Sequence, residues 1–152
     1  MVSTRQHVVN NRAREVALLI ADIYEAAGAF RRSGETIAGA EGQTQARWQL
    51  MSVVSGGPMT VPQVARRLGI TRQGVQRVAN DLVDEGLVRL TPNPDHRSSS
   101  LLELTSQGQA VLGRINNRAH RLNSILASTL DAPKLSQTRA VLRTLIDANS
   151  TG

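Results

Sequence analysis

The chain has no cysteine. That excludes disulfides, thiol-based redox sensing and every cysteine-ligated zinc site, and it fits a reducing cytoplasm. Aromatic residues are nearly absent as well: Tyr24, Phe30 and Trp48 are the single Tyr, Phe and Trp. The core must therefore be aliphatic and alanine-rich, which the 40% apolar fraction can supply. No apolar run approaches the roughly 20 residues that a membrane helix needs; the longest lies around residues 16–20. A signal-peptide core is missing too, because Arg5, His7, Asn10, Asn11, Arg12 and Arg14 interrupt the N-terminal stretch. We expect a cytoplasmic protein with no membrane partner.

Catalytic signatures are also lacking. His7, His96 and His120 are scattered over three elements without metal-ligand spacing. No nucleophile motif, glycine-rich phosphate loop or H-E-x-x-H occurs. The expectation is a protein that is not an enzyme and carries no metal or cofactor.

What is abundant is positive charge. The 152 residues carry a net charge of +6, which fits a polyanionic partner, although basicity alone would serve a ribosomal or membrane-surface protein equally well. Lys134 is the only lysine among the 18 cations. Arginine suits bidentate contacts to phosphate and guanine, but a genome-wide codon bias gives the same count and weighs more. The length predicts one compact unit or a small domain with helical extensions.

The informative segment is residues 60–104, TVPQVARRLGITRQGVQRVANDLVDEGLVRLTPNPDHRSSSLLEL. Thr60 stands three residues before Gln63, the spacing of a capping box. Pro62 lies in the first turn, where a missing N–H costs nothing. Val64, Ala65 and Leu68 make a short apolar stripe, and Gly69 ends the helix where a positive φ is easiest. Thr71 is placed to cap a second helix. Val75, Val78, Ala79, Leu82 and Val83 recur at the spacing of its buried face. The opposite face carries Arg72, Gln73, Gln76, Arg77 and Asn80, the residue types that hydrogen-bond guanine, adenine and phosphate. Acids appear only later, at Asp81, Asp84 and Glu85. Gly74 in the first turn costs about 1 kcal/mol relative to Ala, which predicts a close approach of backbone to DNA or to the neighbouring helix.

Gly86 stops that helix. Leu87, Val88 and Leu90 read as a strand, Leu101, Leu102 and Leu104 as the returning one, and TPNPDHRSSS between them is turn chemistry throughout. Arg97, at the end of a projecting hairpin, is suited to a narrow minor groove. Asp95 is placed to hold its guanidinium by a charge-assisted bond. His96 is a candidate phosphate contact, although an exposed loop histidine is more often a spectator.

With the residues "ITRQGVQRVANDLVDEGLVRL" and the wing "NPDHRSSSLLELTSQG" in view, the chain resembles the MarR family of bacterial transcriptional regulators. The Asp-x-Arg pattern of the family's wing is matched by Asp95 and Arg97, and its "LT-x-x-G" element by Leu104, Thr105 and Gly108. The resemblance covers about residues 44–110 in motif detail and the rest in helix layout. It implies a homodimer on a pseudo-palindromic operator, usually a repressor released by a small ligand or an oxidant. One departure is that a second basic residue of the wing is replaced by His96 and serines, which predicts a weaker or pH-dependent wing contact. The family's ligand pocket lies where dimerisation helices meet the winged helix; Tyr24, Phe30 and Trp48 fall on helices there and are candidates to line a site for a small aromatic effector, with core filling as the competing role.

Around this unit, residues 8–30 carry a helical stripe of Val9, Val16, Leu19, Ile20, Ile23, Ala27 and Phe30. Residues 31–42 read as a loop and 43–54 as a helix with Trp48, Met51 and Val54 inward. Leu112, Ile115, Ala119, Leu122, Leu126 and Thr129 form the seam of a long helix, which Pro133 is expected to break before a last helix. First and last helices of two chains are expected to interlock, since a two-fold protein matches two half-sites about one DNA turn apart.

The expected fold is mainly α with a small β-hairpin wing. A winged helix-turn-helix occupies 43–104, and residues 1–42 together with 105–152 form a helical dimerisation region. Double-stranded DNA is the expected partner, met by Thr71, Arg72, Gln73, Gln76, Arg77, Asn80, Asp95 and Arg97. Two alternatives are a winged helix kept as a protein-interaction module and a general DNA binder without a specific operator.

Overall fold

The computed structural model describes residues 4–149, with side chains from residue 9 onward; the His7 side chain lies outside this range. Six helices and three strands follow one another as α1 (Thr4–Gly39), α2 (Gln45–Val54), β1 (Met59–Thr60), α3 (Val61–Leu68), α4 (Arg72–Asp84), β2 (Val88–Thr91), β3 (Leu101–Leu104), α5 (Ser106–Ala127) and α6 (Ala132–Asn149). Two units are distinguishable, residues 1–115 and 116–152.

Within the first unit the caps fall on the expected residues. Thr60 and Gln63 close the capping box of α3, and Gly69 ends that helix in the left-handed region at φ +65°. Thr71 caps α4, its hydroxyl accepting from the Gly74 N–H at 3.0 Å. Gly86, at φ +72°, turns the chain into β2. The core between α2, α3, α4 and the sheet is aliphatic: Leu50, Val64, Val75, Leu82, Val88, Leu102 and Ile115 are fully buried, and Met51 adds a flexible filler.

Three local expectations need correction. Residues 31–39 are not a loop, because α1 continues to Gly39. Gly34 is buried there, and a Cβ on it would stand 2.5 Å from Gln45 Cγ, so the glycine lets α1 lie directly on the start of α2. Packing of Ile37 and Ala38 onto the core overrides the weak helix propensity of this Gly- and Ser-containing stretch. The α2 helix then begins at Gln45, after the N-cap Thr44. Finally, Pro133 does not break α5, which has already ended at Ala127; it sits in the first turn of α6, where its missing N–H is no loss.

The wing is also more than a hairpin. β1 joins it, giving a three-stranded antiparallel sheet in the order β1-β3-β2. Thr60 and Thr91 both pair with Leu101, from opposite sides. At the far end, Thr105 donates its hydroxyl hydrogen to Gly86 O at 2.6 Å and accepts from the Gly108 N–H at 3.0 Å. A Cβ on Gly108 would collide with the Leu87 carbonyl. The Leu104-Thr105-x-x-Gly108 pattern thus fastens the end of the sheet to the start of α5.

In the second unit α6 has no buried residue, and Ile125, Leu126, Leu130, Leu135, Val141 and Ile146 are exposed. On α1, Val9, Val16, Leu18, Ile20, Tyr24 and Phe30 are exposed as well. No helix among the described residues is long and apolar enough to cross a membrane.

Candidate nucleic-acid interface

The α4 helix buries Val75, Ala79 and Leu82 against the core. By helical geometry, that turns Arg72, Gln73, Gln76, Arg77 and Asn80 outward, and all five are exposed. Gln76 Nε2 donates to Asn80 Oδ1 at 2.9 Å, a pairing one turn apart that holds both amides on the outer face. At Gly74 no neighbouring helix comes within 4 Å of where a Cβ would sit, which corrects that half of the expectation. Its nearest neighbour is Thr71 Oγ1, 3.1 Å from where a Cβ would sit, so the glycine gives room to the capping hydroxyl of its own helix.

The residues at the end of α4 are engaged on the other side. Arg47 of α2 pairs with Asp81 at 3.3 Å and with Glu85 at 2.5 Å. The acids that would repel a polyanion are therefore clustered away from the start of α4, two of them bound to a cation.

In the wing loop, Asn93 Oδ1 accepts from the Asp95 N–H at 3.0 Å, and the Ser99 N–H donates to His96 O at 3.2 Å. These local bonds form the tip, as asparagine turn chemistry does. The expected Asp95–Arg97 ion pair is not formed; both residues are exposed in the turn, where water competes for each charge. Arg89, on β2, pairs with Glu103 of β3 at 3.1 Å instead.

Between helix and wing lies a concavity of about 520 Å³, lined by Val61, Pro62, Arg72, Gln73, Gln76, Leu90, Ser98, Ser99 and Ser100. It brings three of the expected residues, Arg72, Gln73 and Gln76, opposite the wing. Thr71, Arg77, Asn80, Asp95 and Arg97 lie outside its wall. Its serines and Leu90 escaped the sequence reading. The serine run reads as mere turn composition, and Leu90 reads as a core strand residue. Strand alternation gives no warning of this: Leu90 shares a face with the buried Val88, two residues before it, yet is 51% exposed. No carboxylate lines this surface.

The three aromatic residues do not assemble into one pocket. A cleft of about 600 Å³ between α1, α2 and the helix-turn-helix is lined by Phe30 together with Arg31, Glu35, Gln45, Gln49, Leu68, Ile70, Val75 and Val78, among others. Tyr24 is 77% exposed and Trp48 packs against the core, so neither contributes to that wall. Among the described residues no group of three His, Asp or Glu side chains is placed to hold a metal.

Comparison with known proteins agrees with this architecture. A family model described as "MarR family" matches residues 42–97. An uncharacterised protein of Mycobacterium tuberculosis is 59% identical over 134 residues, covering 88% of this chain and 94% of its own. The crystal structure of the transcriptional regulator BldR from Sulfolobus solfataricus superposes with a TM-score of 0.77 at 18% identity, over 91% of this chain and 96% of that one. PcaV of Streptomyces coelicolor, solved in complex with its natural ligand, gives a TM-score of 0.67 at 22% identity, over 82% and 91% of the two chains.

Proposed function

The chain belongs to the MarR family, and from that we propose that it is a sequence-specific DNA-binding transcriptional repressor, cytoplasmic and without catalytic activity, acting as a homodimer on a pseudo-palindromic operator. The observation that carries this reading is the acid-free concavity in which Arg72, Gln73 and Gln76 of α4 face the serines of the wing. Arginine and glutamine at that position meet base edges in a major groove. Arg97 extends to the neighbouring minor groove, and Thr71 contacts a phosphate at the start of the helix. Residues 43–104 serve as the reading unit, and residues 1–42 with 105–152 as the dimerisation region.

The homodimer is supported by apolar side chains left in water on a single chain, Val16, Ile20 and Phe30 on α1 and Leu135, Val141 and Ile146 on α6. Covering their remaining exposed area favours association in proportion to that area, against the cost of bringing two chains together. A small aromatic effector fits the cleft that Phe30 lines, where Val75 and Val78 of α4 form part of the wall. A ligand there bears on the reading helix directly.

The test is fluorescence anisotropy at physiological salt, on the duplex upstream of the protein's own gene and on an unrelated duplex of equal length. A preference of about a thousandfold or more is expected, the low end of specificity ratios for regulators. Equal and steeply salt-dependent binding to both indicates a general DNA binder. Binding to neither indicates a winged helix used for protein interaction.

A further inference from the structure

The α1–α2 corner, residues 40–47, holds the far end of α4 by a set of directional bonds. Gln43 Nε2 donates to Glu85 Oε2 at 2.9 Å. The Arg47 guanidinium spans Asp81 at 3.3 Å and Glu85 at 2.5 Å, two acids one helical turn apart. Gln43 is only 8% exposed, the one polar residue buried with the core, and its Oε1 has no hydrogen-bond partner. A buried amide left half-satisfied is costly, which is tolerable where the other half makes a bond to a charged group. The same corner is tied to α5, because Arg114 Nε donates to Glu41 Oε2 at 2.7 Å.

Nearer its start, α4 meets the core through apolar side chains. Val75, Ala79 and Leu82 bury the aliphatic face of α4 against the core, a contact without bond direction of its own that close packing holds in place. No aromatic side chain of α4 keys into the core. At its N-terminal end the Thr71 cap bonds within α4 itself, to Gly74. The bonds from Gln43 and Arg47 to Asp81 and Glu85 therefore add a directional restraint to the packing of α4, at the end far from Thr71.

We infer that Gln43 and Arg47 are positioning residues for the reading helix: they set the rotation and height of α4 and so decide which of its outer side chains meets a base edge. The consequence for base reading rests on the DNA-binding function proposed above; the effect on α4 does not.

The experiment compares the full-length protein with Arg47→Ala and Arg47→Lys by hydrogen exchange without DNA, then by anisotropy on the two duplexes named above. Exchange of amides 79–85 in Arg47→Ala is expected to quicken by about tenfold or more, as a local opening does, with amides 61–68 and 101–104 unchanged. Lysine, keeping the charge, restores most of the protection. On DNA, Arg47→Ala loses roughly tenfold of the preference for the upstream duplex, while its salt-dependent binding to the unrelated duplex persists. Unchanged exchange at 79–85 overturns the inference, and so does a rise spread evenly over residues 45–115, which marks general destabilisation. A wild-type protein that prefers neither duplex refutes the sequence-specific reading alone, and the exchange result still decides whether Arg47 positions α4.

Discussion

Thr71 Oγ1 accepts the backbone N–H of Gly74 at 3.0 Å, and a Cβ on residue 74 would stand 3.1 Å from that same oxygen. The cap and the glycine are one device. Thr71→Ala is expected to cost about 1 kcal/mol, the usual worth of an N-cap. Gly74→Ala, which alone would gain about 1 kcal/mol of helix propensity, gains less in the native background because the new methyl crowds the cap. In a Thr71→Ala background the full gain returns. Urea unfolding of the two single variants and the double variant measures this coupling, and strict additivity would contradict it.

Arg97 is exposed at the wing tip and makes no ion pair with Asp95. Its loss should leave the fold untouched. Arg97→Ala is expected to weaken binding to the upstream duplex by roughly 1–3 kcal/mol with an unchanged unfolding midpoint. Anisotropy and thermal unfolding check the two halves of the statement; unchanged affinity would remove the wing from the interface.

Gly108 is a packing requirement. Because a Cβ there runs into the Leu87 carbonyl, Gly108→Ala has to displace either β2 or α5. Overpacking of this kind costs roughly 1–3 kcal/mol or more. Thermal unfolding should show a drop of several degrees, whereas Gly113→Ala, with open space around its position, should show none.

Val141 and Ile146 are about half exposed on α6. If a second copy covers them, a Val141→Asp, Ile146→Asp double variant places charges in an apolar interface, which costs several kcal/mol per dimer. Sedimentation velocity is expected to show a dimer for the native chain and a monomer for the variant. A native chain that sediments as a monomer at micromolar concentration would refute the dimer.

Much of the reading unit is legible in the sequence because its signals are local. A cap involves residues three apart, as Thr60 and Gln63 do, and a positive φ is announced by a glycine such as Gly69 or Gly86. Most of what failed to show depends on residues distant in sequence. Gly34 looks like a helix breaker until Gln45 is seen against it. The two-residue strand β1 is too short to have a pattern and exists because Leu101 and Leu102 pair with it. Asp95 and Arg97 look like partners by spacing, yet Asn93 shapes the loop. Arg47 carries no motif at all; its role appears only when Asp81 and Glu85 are folded beside it.

Thr60 belongs to two elements at once, the last residue of β1 and the cap of α3. Through Leu101 it is paired into the wing, and through Gln63 it fixes the helix-turn-helix. One residue is thus a splice between sheet and helix, and losing its hydroxyl frays the start of α3 at the very strand that borders the wing.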